Sequence, residues 1–485
     1  MKNLRYTYIL LCGCLCNMGC VNELDLRPTT SLTEGDFYQT EEQFIQAAND
    51  VYRQLRRTYE AKGIADAFGE LSSDNAFIQI AAGTELVSDD ISNLRITSNN
   101  SRIQEIWETC YNGIFVCNHI IEQLDRTNVS FSDPNLKERM EAEATFVRSL
   151  IYFNMVRAWG DVPLVLKVLT QAESYEYTRE SRDVIYEQVI QDLTYCKQIL
   201  PPSYTGTNVG RITRYAASAV LAKLFMTIGE TQKAREELEG IINSGQYSLD
   251  ANGDGTIDTT DYQHVFHPET KNCKESILEI QYLAGQNQVN STHQINYLPW
   301  HFAFHLPGQT EVFRPLGLNT PTQDLMKEFE PADSVRKNIS AQPGFENLAT
   351  GQFVDYPFTM KFYDPNWRYP GQNFEIIRYA DILLMYAEVT ADPAYLNAVR
   401  KRVGLPGFGE AGYPSDYSTL ALAIEHERRI ELCFEFHRFF DLVRTDRAIP
   451  VMRSKGYNID ETKLLFPIPL NVIDVNPAIT QNTGY

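Results

Sequence analysis

Residues 420–448 read LALAIEHERRIELCFEFHRFFDLVRTDRA, and the fold turns on what this stretch does with its charges. Glu425, Glu427, Arg428, Arg429, Glu431, Glu435, Arg438, Asp441 and Arg444 are interleaved with Ile430, Phe434, Phe436, Phe439, Phe440 and Leu442. Rings at this density have to be buried, and a charge buried beside them needs an opposite charge with good geometry. Read as one helix, the stretch supplies partners along itself. Glu425/Arg429 stand at i,i+4, and Glu435/Arg438, Arg438/Asp441 and Asp441/Arg444 at i,i+3. The expectation is a helix clamped into a bundle by ion pairs, structural and not catalytic. His426-Glu427 opens like a zinc-protease H-E-x-x-H, but Ile430 takes the place of the second histidine and the motif fails.

Helical periodicity extends outward from there. Ile103, Trp107, Cys110, Ile114, Cys117, Ile121 and Leu124 step by four and three, which predicts a helix over 102–124 with Trp107 in its core. Helices follow over 138–159 and 183–200, the second stopped by Pro201-Pro202. Segments 213–228 and 231–242, hinged at Gly229, form a pair about 34 residues long, the tetratricopeptide period, with small alanines at the contact. Ser31-Leu-Thr-Glu34 and Thr40-Glu-Glu-Gln43 are capping boxes, the second opening a helix that reaches about Thr58. Residues 62–100 read as loop. From 249 to 373 the helical period fades and short runs such as Ser276–Tyr282 read as strands. Helices resume over 376–390 and 393–403, and the end from Leu464 reads as extended and packed on the body.

Composition narrows the function. The chain has 485 residues, 43% hydrophobic and 22% charged, enough for a large core. Its formal charge of −20 argues against nucleic acid as a partner. Met1–Arg5 carries Lys2 and Arg5, and a short apolar run to Gly19 follows, in the size and order of a signal peptide. Met18-Gly19-Cys20 places a small residue before a cysteine, as lipoprotein processing requires; Leu11-Cys12-Gly13-Cys14 matches the pattern better but leaves too short an apolar region. Cys110, Cys117, Cys196, Cys273 and Cys433 have neither disulfide nor zinc spacing.

One local motif is sharp. Asp250-Ala-Asn-Gly-Asp-Gly-Thr-Ile-Asp-Thr-Thr-Asp261 fits a twelve-residue calcium loop: Asp250, Asn252 and Asp254 at positions 1, 3 and 5, Gly255 at the turn, Thr256 offering a carbonyl at 7, Asp258 at 9 and Asp261 closing at 12. The flanks are poor, since Gly245 ends the incoming helix early and no strong exit helix is visible. A single loop of this kind implies a structural calcium pinning the surface, not a switch. No nucleophile elbow, phosphate loop, Cys–His pattern or catalytic metal set is present, so no catalytic residue is assigned.

ERRIELCFEFHRFFDLVR resembles the C-terminal signature of the SusD/RagB family, E-R-R-x-E-L-x-F-E-G-x-R-x-x-D-L-x-R, with Phe436 where the family has glycine. Further similarities lie in IIRYADILLMYAE (376–388), EAEATFVRSLIYFNMVRAWGDVPLV (141–165), LFPIP (465–469) and the ending NPAITQNTGY. The resemblance implies an all-α, tetratricopeptide-like helix-pair scaffold with a loop-rich insertion containing short β segments. Its parts would be a signal peptide over 1–19, an N-terminal helical half over 20–248, a loop-rich recognition region over 249–375 and a C-terminal helical half over 376–485. It also implies an outer-membrane lipoprotein, acylated on Cys20 just ahead of Leu24-Asp-Leu-Arg-Pro28. Such a protein captures a glycan or other nutrient and delivers it to a SusC-like TonB-dependent transporter. No binding motif transfers residue by residue. The candidates for stacking on and bonding to sugar are Trp300, Tyr297, Phe302 and Trp367, with Asp74 and Asn75 from the early loop. A surface glycosidase and a pure interaction scaffold are the competing classes.

Overall fold

Thr40 opens helix α1 (Glu41–Tyr59) through the capping box read from the sequence: its hydroxyl accepts from Gln43 N–H, and the Gln43 side chain accepts from Thr40 N–H at 3.1 Å. The protein is seen here as a computed structural model that describes residues 37–79, 85–299, 315–347 and 350–485. The stretch expected to be loop after α1 holds more order than that. It contains a π-helical turn (Ala65–Leu71), strand β1 (Ala76–Phe77) and helix α2 (Leu86–Ser92).

Helices α3 (Ser101–Arg126), α4 (Leu136–Trp159), α5 (Arg182–Ile199), α6 (Arg214–Thr227) and α7 (Thr231–Asn243) then pack each on the next. The apolar stripe of α3 faces inward, Trp107 edge-on to Trp159 at 5.1 Å. α4 is buried almost all round, as a helix flanked by neighbours on several sides must be. Ala216, Ala217, Ala219 and Ala222 are buried on α6, where small side chains let its neighbours approach.

The intervening block begins with α8 (Thr259–Val265) and continues in short antiparallel pairs. β2 (Ser276–Ile280) pairs with β8 (Phe374–Arg378), and β1 with β3 (Thr320–Pro321). β4 (Ala341–Gln342) pairs with β7 (Phe358–Thr359), and β5 (Phe345–Asn347) with β6 (Gln352–Val354). α9 (His293–Tyr297), α10 (Gln323–Glu328) and α11 (Ser334–Ser340) lie among them. α12 (Tyr379–Thr390) then packs on α7, so the helical stack resumes where it was left, and α13 (Pro393–Arg402) and α14 (Leu420–Glu431) pack on α12. The end of the chain closes on the first half: Trp159 Nε1–H donates to the Pro467 carbonyl at 3.1 Å and Phe466 N–H to Ala158 O at 2.7 Å.

The 420–448 stretch is not one helix. α14 stops at Glu431, α15 (Arg438–Arg444) and α16 (Ala448–Ser454) follow, and Phe434 and Phe436 sit between at φ +66° and +67°. Two groups hold this turn. The Glu70 carboxylate accepts from Phe434 N–H (3.0 Å) and Phe436 N–H (3.2 Å), and Gly69 lies so close that a Cβ on it would come 2.1 Å from the Phe436 carbonyl oxygen. Burial pushes the Glu70 carboxyl up to about 7, with the bonds from Asn75 and Phe434 pulling the other way.

Breaking the helix redistributes its charges. Of the pairs expected along it, Asp441–Arg444 forms, at 2.9 Å. The others reach across the chain: Glu425 meets Arg447 (2.8 Å), Glu435 meets Arg378 (2.8 Å) and Lys361 (2.6 Å), Arg438 meets Asp74 (2.8 Å), and Arg429 meets Asp74 (3.0 Å) and Asp324 (2.8 Å). Arg378 bridges Glu275 and Glu431, Arg402 bonds the same two carboxylates, and Arg336 reaches Asp333, Glu427 and Glu431. Arg336, Arg378, Arg402, Glu275, Asp333, Glu427, Glu431 and Glu435 are all buried. Burial alone would raise the Glu431 carboxyl, yet Arg402, Arg378 and Arg336 together hold it well below the usual carboxylate range.

Candidate binding face and calcium-type loop

The turn 364–371 is built by one carboxylate. Asp364 is buried, donates its N–H to Gln294 Oε1 (2.7 Å), and accepts from Asn366 N–H and Gly371 N–H (2.7 Å each). Gly371 passes so near Ala284 that a Cβ would fall 2.5 Å from its backbone nitrogen. Trp367 rides on this staple, half-buried against an apolar cluster of Leu298, Phe345 and Phe358 with Tyr356 and Tyr363. On β6, whose Val354 packs in the same cluster, Phe353 is 62% exposed, its ring over Gly344, where a Cβ would meet Phe353 Cζ at 2.7 Å. Trp367 is therefore a ring fixed by a rigid turn, the geometry of a stacking platform. Phe353, Tyr356 and Tyr363 escaped the sequence reading. Each is an isolated aromatic in an aperiodic region, and only tertiary packing gathers the two tyrosines around the cluster that holds Trp367.

Three other candidates fall elsewhere. Tyr297 is 1% exposed, on α9 against His293 (5.6 Å) and Phe362 (5.9 Å), with burial and the nearby Asp66 raising its hydroxyl well above its ordinary value. It is core. Asp74 and Asn75 are buried too: Asp74 receives a two-pronged bond from Arg438 (2.8 and 3.1 Å). Asn75 donates to Glu70 (3.0 Å) and accepts from Arg429 (3.0 Å). They hold the early loop to α14 and α15 and present nothing to a ligand. Trp300, Phe302 and Cys20 lie outside the described residues.

The calcium-type loop has the expected wrap. Asp250 accepts from Gly253 N–H (2.8 Å) and Gly255 N–H (3.0 Å), Asn252 from Asp254 N–H (2.9 Å), and Asp254 from Thr256 N–H (2.8 Å). Gly253 and Gly255 stand at φ +74° and +90°, which suits residues without a Cβ. An exit helix is present after all: α8 starts on Asp258 as N-cap, and buried Asp261 at its third position accepts from Asp258 N–H (2.8 Å) and Asn252 N–H (3.2 Å). The two acids that signal positions 9 and 12 also form a capping box, which is why this helix follows so unpromising a sequence. With the carboxylates turned to backbone amides, no group of three His, Cys, Asp or Glu among the described residues is poised as a metal centre.

A buried carboxyl pair lies across β2 and β8. Burial and then the neighbouring Glu279 push the Glu375 carboxyl well up. Both residues are buried, with the Glu279 carboxylate accepting from Asn272 N–H and the Asn373 amide. No described helix is long and apolar enough to cross a membrane.

The molecule is thus a helix-pair scaffold whose irregular block carries fixed surface aromatics. A model described as "SusD family" matches residues 350–485, and one described as "Starch-binding associating with outer membrane" matches 24–226. The chain belongs to the SusD/RagB family. It is 26% identical to SusD-like protein P2 of Formosa agariphila across all of both chains. It is 22% identical to a SusD-like protein of Bacteroides ovatus, over 90% of this chain and 81% of that one. Among solved structures, a laminarin-binding SusD-like protein superposes with TM-score 0.76 at 24% identity, covering 92% of this chain and 100% of that one. Surface glycan-binding protein A from Bacteroides thetaiotaomicron, in complex with laminarihexaose, gives 0.74 at 21%, covering 91% and 99%. These superpositions establish the helix-pair fold.

Proposed function

We propose that this protein is a cell-surface saccharide-binding lipoprotein. Acylated on Cys20 in the outer membrane, it holds an oligo- or polysaccharide on loop-borne aromatics and passes it, uncleaved, to a SusC-like TonB-dependent transporter. The observation that carries the reading is Trp367, a half-buried indole on a turn stapled by Asp364 and packed with Tyr356 and Tyr363. The family description as starch-binding and two structural neighbours whose names specify laminarin and laminarihexaose support the ligand class. Binding without hydrolysis is favoured because Asp66, Glu70 and Glu375, whose carboxyls burial raises, are all buried.

The test is a binding screen of the chain from residue 21 onward against laminarin and starch. Trp367→Ala should weaken binding several-fold, about 1 kcal/mol, with the melting temperature nearly unchanged. Unaltered binding refutes Trp367 as the platform. Cys20→Ala should release the protein from membranes; continued tethering moves acylation to Cys14 or Cys16. Co-purification of a TonB-dependent transporter from native membranes tests the delivery step.

The same reading includes a structural calcium ion held by Asp250, Asn252, Asp254, the Thr256 carbonyl, Asp258 and Asp261. These oxygens are the right chemistry for a hard cation, which takes about six to eight of them. Rotation of the carboxylates off the loop amides is the rearrangement binding requires.

A further inference from the structure

A cavity of about 460 Å³ lies between the α5–α6 connection and β2, and it shares no lining residue with the Trp367 cluster. Its size falls within the range of about 300–1,000 Å³ typical of small-molecule sites. The connection is seated deliberately: Gly210 stands at φ +90°, and a Cβ there would fall 2.6 Å from Gln281 Cδ. The opposite rim is preset as well. Asn272 and Gln281 exchange two amide hydrogen bonds of 2.9 Å, and Asn272 N–H donates to Glu279 at 2.9 Å. Tyr247 projects from the 244–250 segment, half-buried and edge-on to Tyr215 at 5.8 Å.

The charges lining this cavity are unequal in their commitments. Arg211 is spent on Glu143 (3.0 Å), Asn49 (2.9 Å) and Asn208 (3.0 Å). Glu279 is spent on Asn272 and on the Asn373 amide (2.6 Å). Lys274 is exposed, its backbone carbonyl pinned by Ser248 N–H at 3.0 Å, and its ammonium makes no ion pair among the described residues. One uncommitted cation thus faces a polar cavity in a chain of net charge −20. Amides, an aromatic ring and hydroxyls around a small apolar floor suit the alternating polar and apolar faces of a sugar ring, and the free ammonium suits a carboxylate.

We infer that this cavity is a second saccharide subsite, selective for a sugar bearing a carboxylate, which Lys274 receives while Tyr247 and the Asn272 rim contact the ring. The inference deepens the saccharide-binding reading and rests on it. The test compares D-glucuronate with D-glucose, which share a ring and differ in the carboxylate, by ligand-observed NMR on the chain from residue 21 onward. Glucuronate should bind in the millimolar range and more tightly than glucose. Lys274→Ala, an exposed change that leaves the fold intact, should cost roughly five-fold and remove the preference; Trp367→Ala should leave glucuronate binding unchanged. Equal or absent binding of the two sugars overturns the inference, as does insensitivity to Lys274→Ala. Loss of glucuronate binding in Trp367→Ala also overturns it, placing the sugar on the Trp367 face and leaving the capture reading intact.

Discussion

Restoring the family's glycine at Phe436 should destabilise this protein, but less than alanine at the same position does. Phe436 is 2% exposed, its ring stacked on Phe374 at 4.7 Å, and its backbone is held at φ +67° by the Glu70 carboxylate. Two terms oppose each other. Removing a buried phenylalanine ring costs about 3–5 kcal/mol. The left-handed backbone costs an L-residue about 1–2 kcal/mol that glycine does not incur. Phe436→Ala should therefore lose about 3–5 kcal/mol, and Phe436→Gly about 1–4 kcal/mol. Elsewhere glycine is the less stable of the two by up to ~1 kcal/mol because its unfolded chain is freer, so the inverted order is diagnostic. Urea titrations followed by tryptophan fluorescence read it as a midpoint shift at constant slope. If Phe436→Ala proves as stable as Phe436→Gly, the backbone at 436 carries no strain and the reasoning fails.

Three further outcomes follow from the buried charges and the loop. Asp74→Asn should cost about 3–5 kcal/mol, since it removes the close carboxylate of buried Arg438 and one of the partners of buried Arg429, which keeps Asp324. Burial would raise the Asp74 carboxyl, but the two guanidiniums hold it well below its ordinary range. Its stabilisation is thus present above the unfolded value near ~3.9 and lost as pH falls through the depressed folded value; the variant's acid unfolding limb should be shallower, and an unchanged limb refutes the role. His426, stacked on Tyr417 at 3.9 Å, bonds Glu328 at 3.1 Å, and although burial would lower it, Glu328 and Glu330 raise it overall. Its contribution is complete below ~6.5 and is lost as pH rises through the raised folded value, so His426→Gln should flatten stability between neutral and mildly alkaline pH; an unflattened profile discards it. Chelator should lower the melting temperature, and Asp250→Ala with Asp254→Ala should abolish that response; a wild type indifferent to chelator carries no structural calcium.

Which parts of this architecture were legible in advance follows the range of the interactions. The helices over 102–124, 138–159, 183–200 and 213–242 were readable within a few residues because periodicity and caps are local signals, and the Thr40 capping box formed as written. The partners of Glu425, Arg429, Glu435 and Arg438 were not, since i,i+4 spacing reports only pairs along one helix and these reach residues tens to hundreds of positions away. Asp74 and Asn75 misled for the same reason: a polar string in GELSSDNAF looks like surface until two distant arginines neutralise it.

Those remote pairs bear on how the irregular block is held. A buried ion-pair network is weak evidence for stability, because desolvation offsets most of its Coulomb energy. Its strength lies in how sharply it penalises the wrong arrangement. Here β8 brings Arg378, α11 brings Arg336 and α13 brings Arg402, while α14 and the turn after it bring Glu427, Glu431 and Glu435. None of these elements can shift register without stranding a buried charge, at a cost of several kcal/mol. The irregular block between the helical halves is therefore clamped at Glu275 beside β2, at α11, at Lys361 and at β8. Phe353 lies between the second and third of these clamps, and Trp367 between the third and fourth. Substitution at either ring strands no buried charge, so these two positions can change without disturbing how the block sits on the helices.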